Sequence, residues 1–427
     1  MTQTKPTLEL IPLKTKLESG CTNTMDVLVK IKSPDIEVGS VERPALNVSL
    51  VLDRSGSMGG GRMRDAVEAA KTCIDNLLPS DTVSCVTFDD QIEVLFPSQR
   101  ATEKQRLKSL FNQLHPRGNT ALQAAWVKGG LEVTNSFVDS AINRVLLVTD
   151  GQANVGECNP STICEQVRGL RTRGVSTSTI GIGGDFNEDL LIPMADAGAG
   201  NSWHVRSSED LAKIFDVELS GLVSQFGHSA TLGIRAAAGV EIVDVLNDFE
   251  KTIDGRHRLP NLTAANDLDI IVRLRFFERP EGQLEDAVRI DLSFVGQKSG
   301  IAERVDASIA LDFVTAEEAA KSPVSAATAE AAVLLDNARD RRAAIERLDL
   351  GDIAGANLSI RSLASRTRDL NDLSPSPALF AELEGVQDEI AAMESREMEM
   401  ARKMMSYSSN TRRQSKSALL NERMKKK

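Results

Sequence analysis

Aromatic residues are scarce: Phe, Trp and Tyr make up 4% of the 427 residues, with one Tyr and two Trp. Single-stranded nucleic-acid binders stack bases on aromatic platforms, and so few rings argue against that class. No window approaches the roughly 18 to 20 consecutive apolar residues that a membrane-spanning helix needs. The opening MTQTKPTLELIPLKTKL has no apolar run of signal-peptide length, so a cytoplasmic location is expected from what is missing. Cysteine is sparse and odd in number, at Cys21, Cys73, Cys85, Cys158 and Cys164, which fits thiols in a reducing compartment. A local disulfide or half of a metal site from Cys158 and Cys164 is the alternative, but no His or second Cys pair accompanies them. His115, His204, His228 and His257 are scattered with no ligand spacing. GxxxxGK(S/T), GxSxG and HExxH are absent too.

What is present is an apolar fraction of 41%, ample for packed cores, on a chain long enough for two or three domains. The net charge of −11 is uneven: residues 401–427 hold nine Lys or Arg against the single acid Glu422, leaving about −19 on the rest. Such an acidic body does not seek phosphate backbones unaided.

From about residue 44 to 225, apolar runs alternate with amphipathic stretches, the pattern of a doubly wound, mostly parallel α/β sheet with crossover helices. Strands are predicted at Leu46 to Leu52, Thr82 to Phe88, Ile92 to Phe96, Arg144 to Thr149, Val175 to Ile182 and Ser202 to Val205. Helices are predicted near 62–78, 102–114, 120–138, 161–173, 187–197 and 208–224, several opened by Ser, Thr or Asn caps. After Gln225 the period changes to two, in SATLGIR, VEIVDVL, LDIIVRLRF, VRIDLSF and ASIALDF. These runs read as an antiparallel β-sandwich over 226–314. Leu8 to Leu17 and Met25 to Ile31 alternate likewise, so residues 1–43 are expected to complete the sandwich around an inserted 44–225 domain. Ala-rich periodic stretches at 316–348, 352–370 and 377–405, broken by Gly351, Pro375 and Pro377, suggest two or three packed helices over 315–405. Residues 406–427 have the composition of a basic flexible tail.

The first α/β strand, ALNVSLVLD, runs into Asp53-Arg-Ser55-Gly-Ser57-Met-Gly-Gly-Gly, which puts one carboxylate and two hydroxyls in a tight loop at a strand's carboxyl end. Ligands bind at that edge of doubly wound sheets. Hard divalent cations take oxygen ligands, and Mg²⁺ uses few carboxylates while keeping waters or a partner's oxygens. Asp-x-Ser-x-Ser alone is common by chance. Its position strengthens it, because Thr120 in RGNTAL opens a helix after a loop and Asp150 in VLLVTDGQAN ends the next buried strand. As plain structure, the same residues would be helix caps, and Gly59, Gly60 and Gly61 would simply allow a turn.

With all five positions matched, residues 44–225 resemble the von Willebrand factor A domain family, and the chain resembles its bacterial-type intracellular members. The resemblance implies a metal-ion-dependent adhesion site in which Ser55, Ser57 and Thr120 touch the ion and Asp53 and Asp150 bind it directly or through water. The ion would be Mg²⁺, or Mn²⁺ or Ca²⁺, and an acidic side chain of a partner protein would complete its coordination. It further implies a non-enzymatic adaptor or scaffold working beside an AAA-type ATPase or its substrate, with ligand binding linked to movement of helix 208–224, which joins the sandwich through Gln225-Phe226-Gly227. Two alternatives stand beside this. Asp53 after an apolar strand also resembles the nucleophile of Mg-dependent haloacid-dehalogenase-like phosphohydrolases, with Gly184-Asp185-Phe-Asn-Glu-Asp189 as a late acidic motif, although Ser55 stands where that family has a second Asp. The basic tail, ending in Lys425, Lys426 and Lys427, offers binding to an anionic surface or nucleic acid.

Overall fold

A computed structural model describes residues 5–34, 44–183, 186–205, 214–215, 218, 224–264, 266–297 and 299–414. The chain opens with β1 (Thr7–Pro12), β2 (Lys16–Glu18) and β3 (Asn23–Lys32). It then enters an α/β unit with β4 (Leu46–Asp53), β5 (Thr82–Phe88), β6 (Ile92–Arg100), β7 (Ile142–Thr149), β8 (Val175–Ile182) and β9 (Ala199–Val205). These six strands lie in the order β6-β5-β4-β7-β8-β9, and every pair is parallel except β5 with the edge strand β6. All eight residues of β4, of β7 and of β8 are buried. Strands covered on both faces read as continuous apolar or small-residue runs rather than alternating ones, which is why their limits are visible in the sequence.

Helices α1 (Arg62–Asn76), α2 (Lys104–Leu110), α3 (Leu122–Asn135), α4 (Pro160–Arg171) and α5 (Glu188–Ala197) cover the two faces. One core gathers Leu50, Ala66, Cys73, Phe96, Leu146 and Ile180, and a second on the opposite face gathers Val51, Trp126, Val145, Ile163 and Leu190. The helix expected over 208–224 falls mostly outside the described residues; Ile214, Phe215 and Glu218 are described, and all three are helical and buried.

The chain returns through β10 (Gln225–Ala236), β11 (Val240–Val245), the two-residue strands β12 (His257–Arg258) and β13 (Leu262–Thr263), then β14 (Leu268–Phe276), β15 (Gly282–Gly296) and β16 (Ala302–Val314). One sheet runs β1-β3-β14-β11 and the other β12-β10-β15-β16-β2, with β13 also on β10. Both sheets therefore draw strands from before and after the α/β unit. Their facing side chains, among them Val27, Val29, Leu232, Ile270, Val272, Ile290 and Leu292, form one apolar core.

Five helices follow: α6 (Ala316–Ala320), α7 (Ala326–Asp349), α8 (Ile353–Leu373), α9 (Pro377–Glu394) and α10 (Met398–Arg413). Three expectations are corrected here. The stretch 316–348 is two helices, because Pro323 cannot donate to a helical ladder and Ser325 instead caps α7 by accepting from Thr328 N. Likewise, 377–405 breaks at Ser395–Glu397. Residues 406–413 are not tail but the end of α10: Tyr407 is buried enough to push its hydroxyl up to about 12, and Ser409 Oγ donates to Ala338 O at 2.8 Å. The expected tail from 415 onward lies outside the described residues. The last helix also reaches the α/β unit, where Arg402 donates to Glu188 at 2.5 Å and to Asp189 at 2.9 Å.

Candidate metal centre

The geometry begins with the loop that leaves β4. Asp53 Oδ1 accepts from Ser55 N at 2.7 Å, turning the chain sharply, and a short 3₁₀ turn over Gly56–Met58 follows with Met58 fully buried as its anchor. Gly60 and Gly61 then carry the chain into α1 at φ 68° and 111°, a region costly for residues with a Cβ. Those two glycines make the turn; Gly59 has no such constraint.

A second loop is laced against the first by backbone hydrogen bonds, Gly56 N to Gly118 O at 3.1 Å and Arg117 N to Arg54 O at 2.8 Å. Beneath them the Asp89 carboxylate accepts from Arg54 Nε at 3.0 Å and Arg117 Nε at 2.6 Å. This clamp places Thr120. Its carbonyl accepts from Asn154 N at 3.1 Å, and its own N–H donates to Asn154 Oδ1 at 2.8 Å, which ties it to the loop after β7 as well. The helix-cap reading of Thr120 fails: the capping position of α3 is Ala121, with no side-chain cap bond. Ser55, at the start of its 3₁₀ turn, makes no cap bond either.

The third loop follows β7. Thr149 Oγ1 donates to Asp53 Oδ2 and accepts from Gly151 N at 3.1 Å. Ser57 Oγ donates to Asp150 Oδ1 at 2.8 Å and lies 3.0 Å from Ser55 Oγ. A Cβ placed on Gly151 would sit 3.2 Å from Thr120 Oγ1, 3.5 Å from Asp53 Oδ2 and 3.6 Å from Ser57 Oγ, so oxygens from three loops converge on one small space. Thr120 Oγ1 makes no hydrogen bond to protein among the described residues. Burial pushes the Asp53 carboxyl up to about 6, against hydrogen bonds from Thr149 and Ser55 that favour its charged form, and the neighbouring Asp150 carboxylate adds to the rise. Two carboxylates and three hydroxyls, with no cation paired to Asp53 among the described residues, match the donor set a hard divalent cation takes. Asp53, Ser55, Ser57, Thr120 and Asp150 could hold one.

Sequence reasoning missed Arg62, whose guanidinium donates to Asp150 Oδ2 at 2.7 Å and packs over Gly183. It missed Thr149 as well, although the adjacency in Val-Thr-Asp-Gly could have pointed to it. Among the five thiols no disulfide forms, so Cys158 and Cys164 stay separate. No third carboxylate, His or Cys joins a metal-ligating group among the described residues, and the phosphatase-like acidic motif begins at residues outside them.

Residues 47–217 match the family model of the von Willebrand factor type A domain. In sequence, the chain is 28% identical over 221 residues to the uncharacterized protein YfbK of Escherichia coli, covering 51% of this chain and 38% of that protein. It is 30% identical over 174 residues to inter-alpha-trypsin inhibitor heavy chain H2 of Sus scrofa, covering 39% of this chain and 19% of that one. The chain thus spans well under two thirds of the length of these relatives. In structure, it superposes on a von Willebrand factor type A protein from Catenulispora acidiphila with a TM-score of 0.67 at 18% identity, covering 92% of this chain and 90% of the other. The ArnB paralog VWA2 from Sulfolobus acidocaldarius gives a TM-score of 0.59 at 15% identity, with 96% and 98% covered. The α/β unit is a von Willebrand factor type A domain, and this is a protein built around one. Both solved structures share the fold over nearly the whole chain, so sandwich, α/β unit and helices recur together.

Proposed function

We propose that the α/β unit grips an acidic side chain of a partner protein through a divalent cation held by Asp53, Ser55, Ser57, Thr120 and Asp150, and that the chain works as a non-enzymatic adaptor. The domain type mediates protein interactions, and no described helix is long and apolar enough to cross a membrane. The observation that carries the reading is the convergence of Thr120 Oγ1, Asp53 Oδ2 and Ser57 Oγ around Gly151, at the carboxyl edge of the sheet where Ser57 is exposed. A bound cation would supply positive charge for a partner carboxylate. The protein's part is to hold the loops: Asp89 with its two arginines fixes the first against the second, and Asn154 fixes the second against the third.

Mg²⁺ is the expected ion, with Mn²⁺ or Ca²⁺ as substitutes. Both oxygens of Asp53 are engaged, by Ser55 N and by Thr149 Oγ1, which supports a ligand-holding role over a nucleophilic one. The expected setting is cytoplasmic, and the expected partner is an AAA-type ATPase or its substrate. Calorimetric titration of Mg²⁺ and Mn²⁺ into the wild type, Asp53→Ala and Asp150→Ala tests the site, and pull-downs with Mg²⁺ or EDTA test the partner. Cation binding lost in both variants, with EDTA-sensitive capture of an ATPase, supports the whole reading. Cation binding unchanged in the variants overturns the site. Capture insensitive to EDTA overturns the metal bridge.

A further inference from the structure

At the opposite edge of the parallel sheet from the candidate metal centre, where β8 and β9 begin, the α/β unit, the sandwich and the end of α10 enclose a cleft of about 310 Å³. That volume lies at the lower end of small-molecule sites, which run from roughly 300 Å³ upward. Phe249, Leu259 and Pro193 give it an apolar wall.

Its charge is the informative part. Four arginines line it, Arg168, Arg171, Arg258 and Arg413, against the three carboxylates Asp196, Asp248 and Glu250. Each carboxylate is already engaged. Glu250 pairs with Arg168 at 3.3 Å; Asp196 accepts from Arg413 and Gln414; Asp248 pairs with Arg339 and Arg342 on α7. The side chains of Arg171 and Arg258 have no hydrogen-bond or ion-pair partner among the described residues. Both are only partly exposed and line the same cleft, and burial followed by the Arg258 charge lowers the Arg171 pKa, against the Glu250 carboxylate, which raises it. The negative end of α4 accounts for an arginine in its last turn. It does not account for Arg258, which β12 brings from the sandwich to the same cleft. Two like charges held together in a partly buried pocket are unfavourable unless an anion lies between them.

We propose that this cleft binds a small organic phosphate monoester, with Arg171 and Arg258 as its two forks. Guanidinium geometry matches phosphate oxygens bidentately, and a dianion suits two cations that have no hydrogen-bonded carboxylate of their own among the described residues. Inorganic phosphate would occupy a fraction of the space, and the apolar wall takes the organic body. Because one fork comes from the α/β unit and the other from the sandwich, the ligand would tie the two together.

The test is calorimetric titration of phenyl phosphate, inorganic phosphate and succinate into the full chain at constant ionic strength, on the wild type, Arg171→Gln and Arg258→Gln. Arg235→Gln serves as control, an exposed arginine on the sandwich that pairs with Asp291 instead. We expect phenyl phosphate to bind more tightly than inorganic phosphate, and each cleft variant to lose about tenfold or more in affinity while the control loses none. In chloride, relief of repulsion should leave the cleft variants as stable as wild type. Should Arg258→Gln not fold, Arg258→Lys keeps the charge, loses the fork and is expected to weaken binding. Phenyl phosphate binding that is absent in the wild type, or unchanged in all cleft variants, overturns the proposal. So does succinate binding alone, since that makes the site a dicarboxylate site.

Discussion

The guanidinium of Arg62 donates to Oδ2 of Asp150 at 2.7 Å, while Ser57 donates to the other oxygen of the same carboxylate. A cation at Asp150 therefore shares its ligand with a fixed positive charge. With the Arg62 side chain about one third exposed, such a pair is worth ~1 kcal/mol or less. Arg62→Gln is accordingly expected to tighten Mn²⁺ binding by a few-fold, about fivefold at most, measured by titration calorimetry. Weaker binding in the variant would show that Arg62 supports the site rather than competing for it.

Gly151 offers a separable test of the cradle. Its φ is not positive, so Gly151→Ala needs no backbone strain, yet the added methyl falls 3.2 Å from Thr120 Oγ1 and into the space shared with Asp53 and Ser57. The expected outcome is a loss of cation affinity of about tenfold or more with a stability change within ~1 kcal/mol, read by calorimetry and urea denaturation. Unchanged affinity would mean that the convergent oxygens do not hold the ion.

Deep in the α/β unit, Arg144 on β7 and Glu218 form an ion pair at 2.6 Å with both side chains almost wholly buried. Burial alone would raise the Glu218 pKa, but the Arg144 charge and hydrogen bonds from Asn201, Ser178 and Trp203 hold it below the ordinary value. Glu218→Gln strands a buried guanidinium charge and is expected to cost about 3 to 5 kcal/mol at pH 7. A carboxyl with a depressed folded pKa contributes stability above its unfolded value, and that contribution disappears as pH falls through the folded value. The gap between wild type and Glu218→Gln should therefore be full at pH 7 and shrink once the pH falls below the ordinary glutamate range. Denaturant titrations across that range would contradict the assignment if the gap stayed constant.

Arg402 on α10 reaches Glu188 and Asp189 on α5 and Asp349 on α7. Beside it Lys403 lies over the Phe186 ring at 5.1 Å. Reversing the charge in Arg402→Glu sets four carboxylates against one another. It should lower stability by about 2 kcal/mol and raise amide exchange in residues 188–197. If exchange rose equally along all the α/β helices, the effect would be global and not a loosening of this contact.

Much of the fold is legible in local pattern. Thr82–Phe88 and Val175–Ile182 have the limits read from the sequence, because strands buried on both faces are unbroken runs between turn residues. The break before Ser325 was harder to see, since Pro323 sits inside an otherwise Ala-rich helical stretch. So was the packed end of α10, where Arg412 and Arg413 fall in the stretch expected to be a basic flexible tail but bind Glu382 and Asp196 across the fold.

The five candidate ligands could be named from the chain itself, because a parallel sheet delivers the carboxyl ends of its strands, and the loops after them, to one edge. Local spacing was enough to choose that edge and the residue types on it. Folding alone decided that Arg62 lies on Asp150, that Arg144 meets Glu218 from 74 residues away, and that Arg171 and Arg258 share a cleft. Those pairs join separate elements whose approach depends on how whole layers pack, and short-range periodicity carries no information about that distance.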